Sequence, residues 1–532
     1  MSPEQFRLFL RSTGIIILLI IITQSTILLP ENLSPHTSSG LSPILVIQQQ
    51  SFSSSNPFIT TFPLRDASRG ATPFVLYPLN DRTVWVATTR AEFPLYSQIV
   101  NFTLGSPTTT VANVTNAIIG SLNVDNAGRV WFTYNDTLAY YDPALKATKA
   151  AIDYPGGAPQ YTVLDRQGRI WVTLAGSSQI AMVDPLNPQD TPRFNIPTAN
   201  SIPQGITLAP DGTVWFAEAG STKLAEFNPD SCAGGSCTIN EHSPPFELSA
   251  PVQVAVDNND IVWFTDHGSN EFGSFNRQTG EWEKFPVGYC EGDCSIALPN
   301  AIAVDKEGRI WFSEHVSGRI AHYDAERGVL TEYIIPSNGT QTDYPVWAWW
   351  MRPGNNNLIW FTSLGLGMIG YVNASLPANL SMTADKEAMI PQGGTGKIRV
   401  TVNQYTSQVS LATSSPYKDS RKGAAVYSSD VKIVPSREKS STFTLTATAG
   451  WNSAVGLHYI TVSASDGLVT VNLPIKVIVT LPLLPYTTVA VVLVIPVTTL
   501  LVRIRSQRTR RVVHHGTESL PSGTLEKSNI RP

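Results

Sequence analysis

The sequence predicts an all-β chain: a seven-bladed β-propeller followed by an immunoglobulin-like β-sandwich and one C-terminal transmembrane helix. Three observations carry this reading. A tryptophan recurs at Trp85, Trp131, Trp171, Trp215, Trp263, Trp311 and Trp360, at intervals of 40 to 49 residues, which is the period of a four-stranded blade. Residues 377–480 lose that motif and turn to Thr- and Ser-rich alternating strands such as Lys397 to Val402, Ser441 to Thr448 and His458 to Ser463, the pattern of a small antiparallel sandwich. Leu481 to Val502 is an apolar run followed at once by Arg503, Arg505, Arg508, Arg510 and Arg511.

The propeller is expected over residues 57–375. Each repeat reads as an apolar strand, an Asp-x-x-Gly turn, the Trp strand, a polar loop, a third strand, a turn and a strand ending in Pro. Residues 301–336 show it in full. Asp125, Asp165, Asp257 and Asp305 share one turn position, where an Asp capping its own backbone accounts for the residue better than ligand binding does. The repeated Trp reads as packing between neighbouring sheets. The seventh repeat lacks a fourth strand, and residues 58–64 have the missing pattern. That segment is therefore expected to pair with residues 368–373 and close the ring.

The two ends of the chain set the expected address. Arg7 and Arg11 precede the short apolar run Gly14 to Ile22, so residues 1–30 read as a signal peptide or an uncleaved anchor. At about 1.5 Å per residue, residues 481–502 are long enough to cross a bilayer. The Arg cluster behind them marks the cytoplasmic side. Residues 503–532 become a cytoplasmic tail, and the propeller lies outside the cell membrane. A formal charge of -4 with 15% charged residues argues against nucleic acid as a partner, because phosphate binding needs a basic face.

Cysteine usage fits an oxidising compartment. Cys232 and Cys237 flank a Gly-rich loop and Cys290 and Cys294 flank Glu-Gly-Asp. Two local disulfides are the simplest pairing, with a four-thiolate zinc site as the rival. Acceptor sequences for N-glycosylation occur at Asn32, Asn101, Asn113, Asn135, Asn338, Asn373 and Asn379, compatible with export. The sandwich, placed before the membrane segment, reads as a spacer or stalk.

In a four-stranded meander the start of strand one and the end of strand two share an edge. Gln160, Gln204, Val252 and Asn300 stand at strand-one starts, and Leu174, Glu218, Asp266 and Glu314 at strand-two ends. These residues are expected around one mouth of the channel, where Gln160, Gln204, Glu218, Asp266, Asn300 and Glu314 could bind a ligand. The acids Glu218, Asp266 and Glu314 could hold magnesium or calcium, a polyol, or only water. His267 and His315 follow two of these acids and are candidate general bases, although a loop position also suits plain surface exposure. Trp347, Trp349 and Trp350 form either a sugar-stacking platform or inter-blade packing.

The phrases at Pro203 to Gly220, Val254 to Gly268 and Asn300 to His315 resemble the repeats of the virginiamycin B lyase family, over roughly residues 57–375. The resemblance implies a seven-bladed propeller and a ring-opening elimination, in which a His at an inner-strand start removes a proton and magnesium held by nearby acids steadies the enolate. The place of that His, fourteen positions before the strand-two acid, holds Gln160, Gln204, Val252 and Asn300. An earlier family acid is replaced by Ala158, Ile202, Ala250 and Leu298; only Glu218, Asp266 and Glu314 match. The expected function is thus a surface binding or sensing protein that recognises a glycan, peptide or protein. Its rivals are a membrane-tethered lyase or hydrolase related to that family, using a metal at the propeller mouth with His267 or His315 as the candidate catalytic residue, and an envelope component.

Overall fold

The computed structural model describes residues 55–482, other than 65–70, 91–95, 190, 233–235, 288–296, 337–345, 365, 386, 404–408, 415–425, 429–432, 435–439 and 452. Six consecutive four-stranded antiparallel meanders occupy residues 71–115, 119–153, 159–195, 203–242, 251–286 and 299–334. We number them sheets one to six. Sheet seven joins Ala348–Pro353, Leu358–Ser363 and Met368–Asn373 to the N-terminal strand Ile59–Pro63. Ile59 lies opposite Val372 and Pro63 opposite Met368, so the segment expected to complete this sheet does so. Innermost strands touch from each sheet to the next, and Ala348–Pro353 touches Ala71–Pro78. The result is a closed propeller ring, joined by both ends of its chain.

Strand two explains the repeated tryptophan. In Val214–Glu218, Val214 and Phe216 pack into the apolar cluster shared with sheet three, while Trp215 and Ala217 pack into the one shared with sheet five. Period two sends the indole toward one neighbour and the aromatic beside it toward the other. All seven indoles are buried.

The Asp turns hold four of these indoles by the ring edge, at the end of the sheets remote from the strand-one starts. Asp305 Oδ1 accepts from the backbone N–H groups of Glu307 and Arg309 at 3.1 and 2.9 Å. Its Oδ2 accepts from Arg309 Nε at 2.6 Å and Trp311 Nε1 at 2.9 Å. Asp125, Asp165 and Asp257 likewise accept from Trp131, Trp171 and Trp263. The turn needs a left-handed residue, supplied by Gly128, Gly168 and Gly308 at φ of 79 to 80° and by Asp260 at 61°. These aspartates are therefore structural. Trp85, Trp215 and Trp360 have Leu79, Ala209 and Gly354 at that place, and their Nε1 atoms are buried without a partner. Over Trp215 the missing arginine is replaced from sheet five: the Arg277 guanidinium lies 5.4 Å from the ring centroid.

Residues 381–480 form two more sheets. One contains Ser381–Ala384, Thr395–Asn403, Ser440–Ala449 and Val426–Ser428. The other contains Val469–Thr480, Gly456–Ser465, Val409–Ser414 and Ile433–Val434, with Glu387–Pro391 parallel to Val469–Thr480. Alternate residues Ile398, Val400, Val402, Leu445 and Ala447 of the first meet Ile460, Val462, Val471, Ile475 and Val477 of the second in one core. This region is joined to the ring edge to edge. Val329–Ile334 of sheet six pairs with Val469–Thr480, Glu332 opposite Thr470. Asn56 Nδ2 bonds both Ile334 O and Leu468 O at 2.9 Å. A region attached this way extends the sheet rather than hanging from a linker.

Cys232 and Cys237 are disulfide-bonded, with an S–S distance of 2.05 Å. The expected Cys290 and Cys294 pair lies outside the described residues, as do residues 1–30 and, apart from Leu481 and Pro482, the segments 481–502 and 503–532. Among the described residues no helix is long and apolar enough to cross a membrane.

Candidate ligand site at the channel mouth

The inner strands Pro159–Leu164, Pro203–Leu208, Pro251–Val256 and Pro299–Val304 each open on a proline. Those prolines lie opposite Leu174, Glu218, Asp266 and Glu314, after which the register slips. Strand-one starts and strand-two ends therefore share one edge, as expected from the repeat. Just before three of the prolines, Ala158, Ile202 and Leu298 take positive φ of 45, 48 and 50°. Such a conformation is costly for a side chain, most of all for β-branched Ile202, and backbone strain gathers at functional edges.

The three acids do not converge. Period two turns Glu218 toward sheet three, Asp266 toward sheet four and Glu314 toward sheet five, along with Phe216, Phe264 and Phe312 of their own strands. Each is buried and locally engaged. Asp266 accepts from Ser249 N, Ala250 N at 2.5 Å and Ser269 Oγ at 3.0 Å, so it caps the loop entering its own sheet. Glu218 accepts from Ser221 Oγ and leaves Oε1 unpartnered. Burial, reinforced by the charge of Glu241, pushes its carboxyl up to about 7.

Glu314 accepts from Ser317 Oγ at 2.5 Å and meets the carboxyl of Glu332, which takes the guanidinium of Arg319. Burial first, and the second carboxylate next, hold Glu314 well above the usual carboxylate range. Arg319 pairs directly with Glu332, so of the two carboxyls Glu314 is the one without an opposite charge in contact. Sheet four repeats the arrangement as Glu218, Lys223 and Glu241, with Lys223 Nζ 2.6 Å from Glu241. Register makes the pattern: Lys223 and Arg319 lie directly opposite Glu218 and Glu314. Among the described residues no group of three or more His, Cys, Asp or Glu side chains is placed to hold a metal ion. The expected joint cation site of Glu218, Asp266 and Glu314 is corrected accordingly, and the magnesium implied by the family resemblance finds no fitting donor set among the described residues.

The histidines do converge. His267 and His315 are 7% and 4% exposed, against the surface exposure that a loop position suggests. Their rings stack with centroids 5.6 Å apart, and Trp349 stands edge-on at 4.7 Å from His315 and 6.3 Å from His267. Trp347 approaches His315 from another side at 5.8 Å. His267 Nδ1 faces Pro299 O at 3.2 Å, which leaves Nε2 as an acceptor. That atom, both nitrogens of His315 and Trp349 Nε1 are buried without a partner. Burial depresses both imidazoles, His315 to about 3 with His267 adding to the effect. Both rings are neutral at physiological pH.

Neutral amides complete the ring of mouth residues. Asn300 donates to Trp349 O at 2.7 Å and accepts at its own carbonyl from Thr265 Oγ1 at 2.6 Å, so it positions the Trp349 wall. Gln160 is buried, with Nε2 3.3 Å from Ala158 O, and Gln204 is partly exposed. Below them the channel is bridged. Trp350 of sheet seven stacks on Tyr161 of sheet three, centroids 5.5 Å apart and planes within 5°. Gln253 of sheet five bonds the Tyr161 hydroxyl, whose pKa burial raises to about 12. Deeper still, Arg352 reaches Asn123 at 3.3 Å and covers Tyr77. Sequence reasoning missed Tyr161, Gln253, Arg319 and Glu332. The register of strand three against strand two would have exposed the last two; the bridge depends on reach across the ring.

The model of the virginiamycin B lyase family matches residues 107–393, just over half of the 532 residues. Among solved structures, virginiamycin B lyase from Staphylococcus aureus is similar at 21% identity, covering 59% of this chain and 98% of that one, with a TM-score of 0.47. A catalytically inactive histidine-to-alanine variant of that lyase with quinupristin has 20% identity over 59% and 98% of the two chains and a TM-score of 0.47. YCF48 from Cyanidioschyzon merolae has 10% identity over 60% and 99%, with a TM-score of 0.44. No curated protein matches by sequence. By its matching repeats, the chain belongs to the virginiamycin B lyase family.

Proposed function

We propose that this chain is a membrane-anchored, extracytoplasmic seven-bladed propeller, carried on an immunoglobulin-like sandwich, that binds an uncharged polar ligand at its mouth. A glycan fits best, with peptide and protein ligands as further candidates. The observation that carries the reading is the stacked pair His267 and His315 against Trp349, with unpartnered nitrogens of all three rings at one edge. Neutral imidazole acceptors and indole donors suit hydroxyl groups, and the partly exposed Trp347 beside His315 offers an indole face to a sugar ring. The engaged acids speak against a cationic ligand, and the Trp350 and Tyr161 bridge keeps binding shallow. Export is supported by the apolar segments near both ends and by the Cys232–Cys237 bridge.

Screening the detergent-solubilised chain on glycan and peptide arrays, with His315→Gln beside it, tests this. A signal lost in the variant supports the mouth; signals indifferent to the substitution count against it. The second reading is a tethered lyase or hydrolase, favoured by the unpartnered Nε2 acceptor of His267 at the mouth, whereas burial that lowers His315 to about 3 makes that ring a weak base. Mass spectrometry of quinupristin incubated with the chain decides it: a ring-opened product dependent on His267 or His315 would establish the enzyme.

A further inference from the structure

Five of the nine large hydrophobic side chains exposed among the described residues belong to one end of the sandwich: Met389, Trp451, Val455, Leu457 and Leu481. Trp451 is 72% exposed, Met389 69% and Leu481 67%. The strand register gathers them. Met389 and Leu457 lie opposite Ile478 from the two sides of Val469–Thr480. Gln392 ties in the adjoining turns, its backbone N–H donating to Thr480 O at 2.9 Å and its side chain to Ser453 O at 2.7 Å. The Trp451 ring lies so close to Gly393 that any side chain there would collide with it. Val477 and Val479 point into the core, so Ile478 and its two neighbours form the opposite, outward face. Two residues back along the strand that face turns charged, with Lys476 opposite Glu387.

The apolar end is also where the chain leaves the fold. Thr480 is followed by Leu481 and, with no polar spacer, by the rest of the apolar run to Val502. If that run enters a bilayer, the end of Val469–Thr480 sits at the lipid surface. Exposed apolar groups gathered beside a membrane entry point match the bilayer interface, where Trp is favoured. We propose that this end of the sandwich rests in the interfacial layer of the membrane, with Trp451, Met389 and Leu457 in contact with lipid. The proposal rests on reading residues 481–502 as the anchor. Because Val469–Thr480 also pairs with sheet six, such contact would fix the tilt of the propeller and the direction its mouth faces.

The full chain is reconstituted in vesicles of phosphatidylcholine and phosphatidylglycerol, with a nitroxide on Trp451→Cys or Met389→Cys. Leu186→Cys on the propeller, at a site 88% exposed, is the water reference. Flotation reads the anchor, and the ratio of oxygen to nickel-chelate collisions reads the patch. The expected result is flotation with a ratio severalfold higher at 451 and 389 than at 186. Flotation with equal ratios overturns the patch and leaves the anchor standing. Dipolar broadening with both collision rates low places a second copy on the patch and overturns the proposal. Failure to float removes the anchor and the proposal together. Should one labelled variant fail to fold, the other carries the test.

Discussion

The two edges of the propeller ring are made by the same repeat and differ in which polar atoms it satisfies: four of the seven indole N–H groups are held at the turn edge, while those of Trp85, Trp215 and Trp360 stay unpartnered. At the turn edge, Asp125, Asp165, Asp257 and Asp305 each gather a backbone turn and an indole N–H, the same way in four sheets. At the mouth edge, equivalent positions hold Leu174, Glu218, Asp266 and Glu314, then Ala175, Ala219, His267 and His315. Buried Glu218 Oε1, Glu314 Oε1 and three imidazole nitrogens remain without partners there. Repetition with satisfied hydrogen bonds serves stability. Variation at the mouth edge, with carboxyl and imidazole atoms left unsatisfied, is what the proposed ligand site rests on.

Four substitutions can break or sharpen that contrast, from the largest expected effect to the smallest. Asp165→Ala strands the buried Trp171 N–H, unties the backbone turn and leaves Arg169 only its exposed partners Asp230 and Gln167, and should cost about 3 kcal/mol of stability. Denaturant unfolding of the solubilised chain checks it, and a loss below about 0.5 kcal/mol, the scale of ordinary surface changes, would deny the turn its role.

Glu218→Gln addresses a buried acid whose folded pKa of about 7 exceeds the usual 4.5. Between those values the folded state holds a proton that the unfolded state has lost. Stability from this group is present below pH 4.5 and disappears as pH rises through about 7. The amide should therefore raise stability at pH 8 by about 2 kcal/mol and flatten the pH profile. A thermal-melt series from pH 4 to 9 that is unchanged by the substitution would contradict the assignment.

His315→Gln should weaken ligand binding about tenfold, or about 1.4 kcal/mol, with the melting temperature nearly unchanged. Titration by calorimetry measures the first and a thermal melt the second. Equal damage to both would make the imidazole a packing residue. Trp350→Leu removes the stack on Tyr161 and should cost about 1 kcal/mol. An unaltered melting temperature would show that the channel bridge contributes nothing to the ring.

Much of the ring was legible in the sequence because it is written seven times. The spacing of Trp85 to Trp360, the turn aspartates and the unpaired strand at residues 58–64 all follow from local pattern, and strand Ile59–Pro63 pairs where the pattern places it. The site was legible in outline only. Edge sharing placed Glu218, Asp266 and Glu314 at the mouth, but side-chain alternation decides which interface each enters, and it separates them. His267 and His315 look exposed in sequence because they follow strand ends; they are buried because Trp349, two sheets from His267, closes over them. The union of the sandwich with sheet six joins residues far apart in sequence through backbone hydrogen bonds, which side-chain identity does not encode.

The central claim is that recognition belongs to the mouth edge and stability to the turn edge. Hydrogen exchange on the solubilised chain, with and without the strongest ligand from the glycan and peptide arrays, tests it most directly. Protection should rise at residues 264–270, 312–318 and 347–351, and stay unchanged at residues 125–131, 165–171 and 305–311. Protection confined to those turns, with the mouth unaffected, would contradict it.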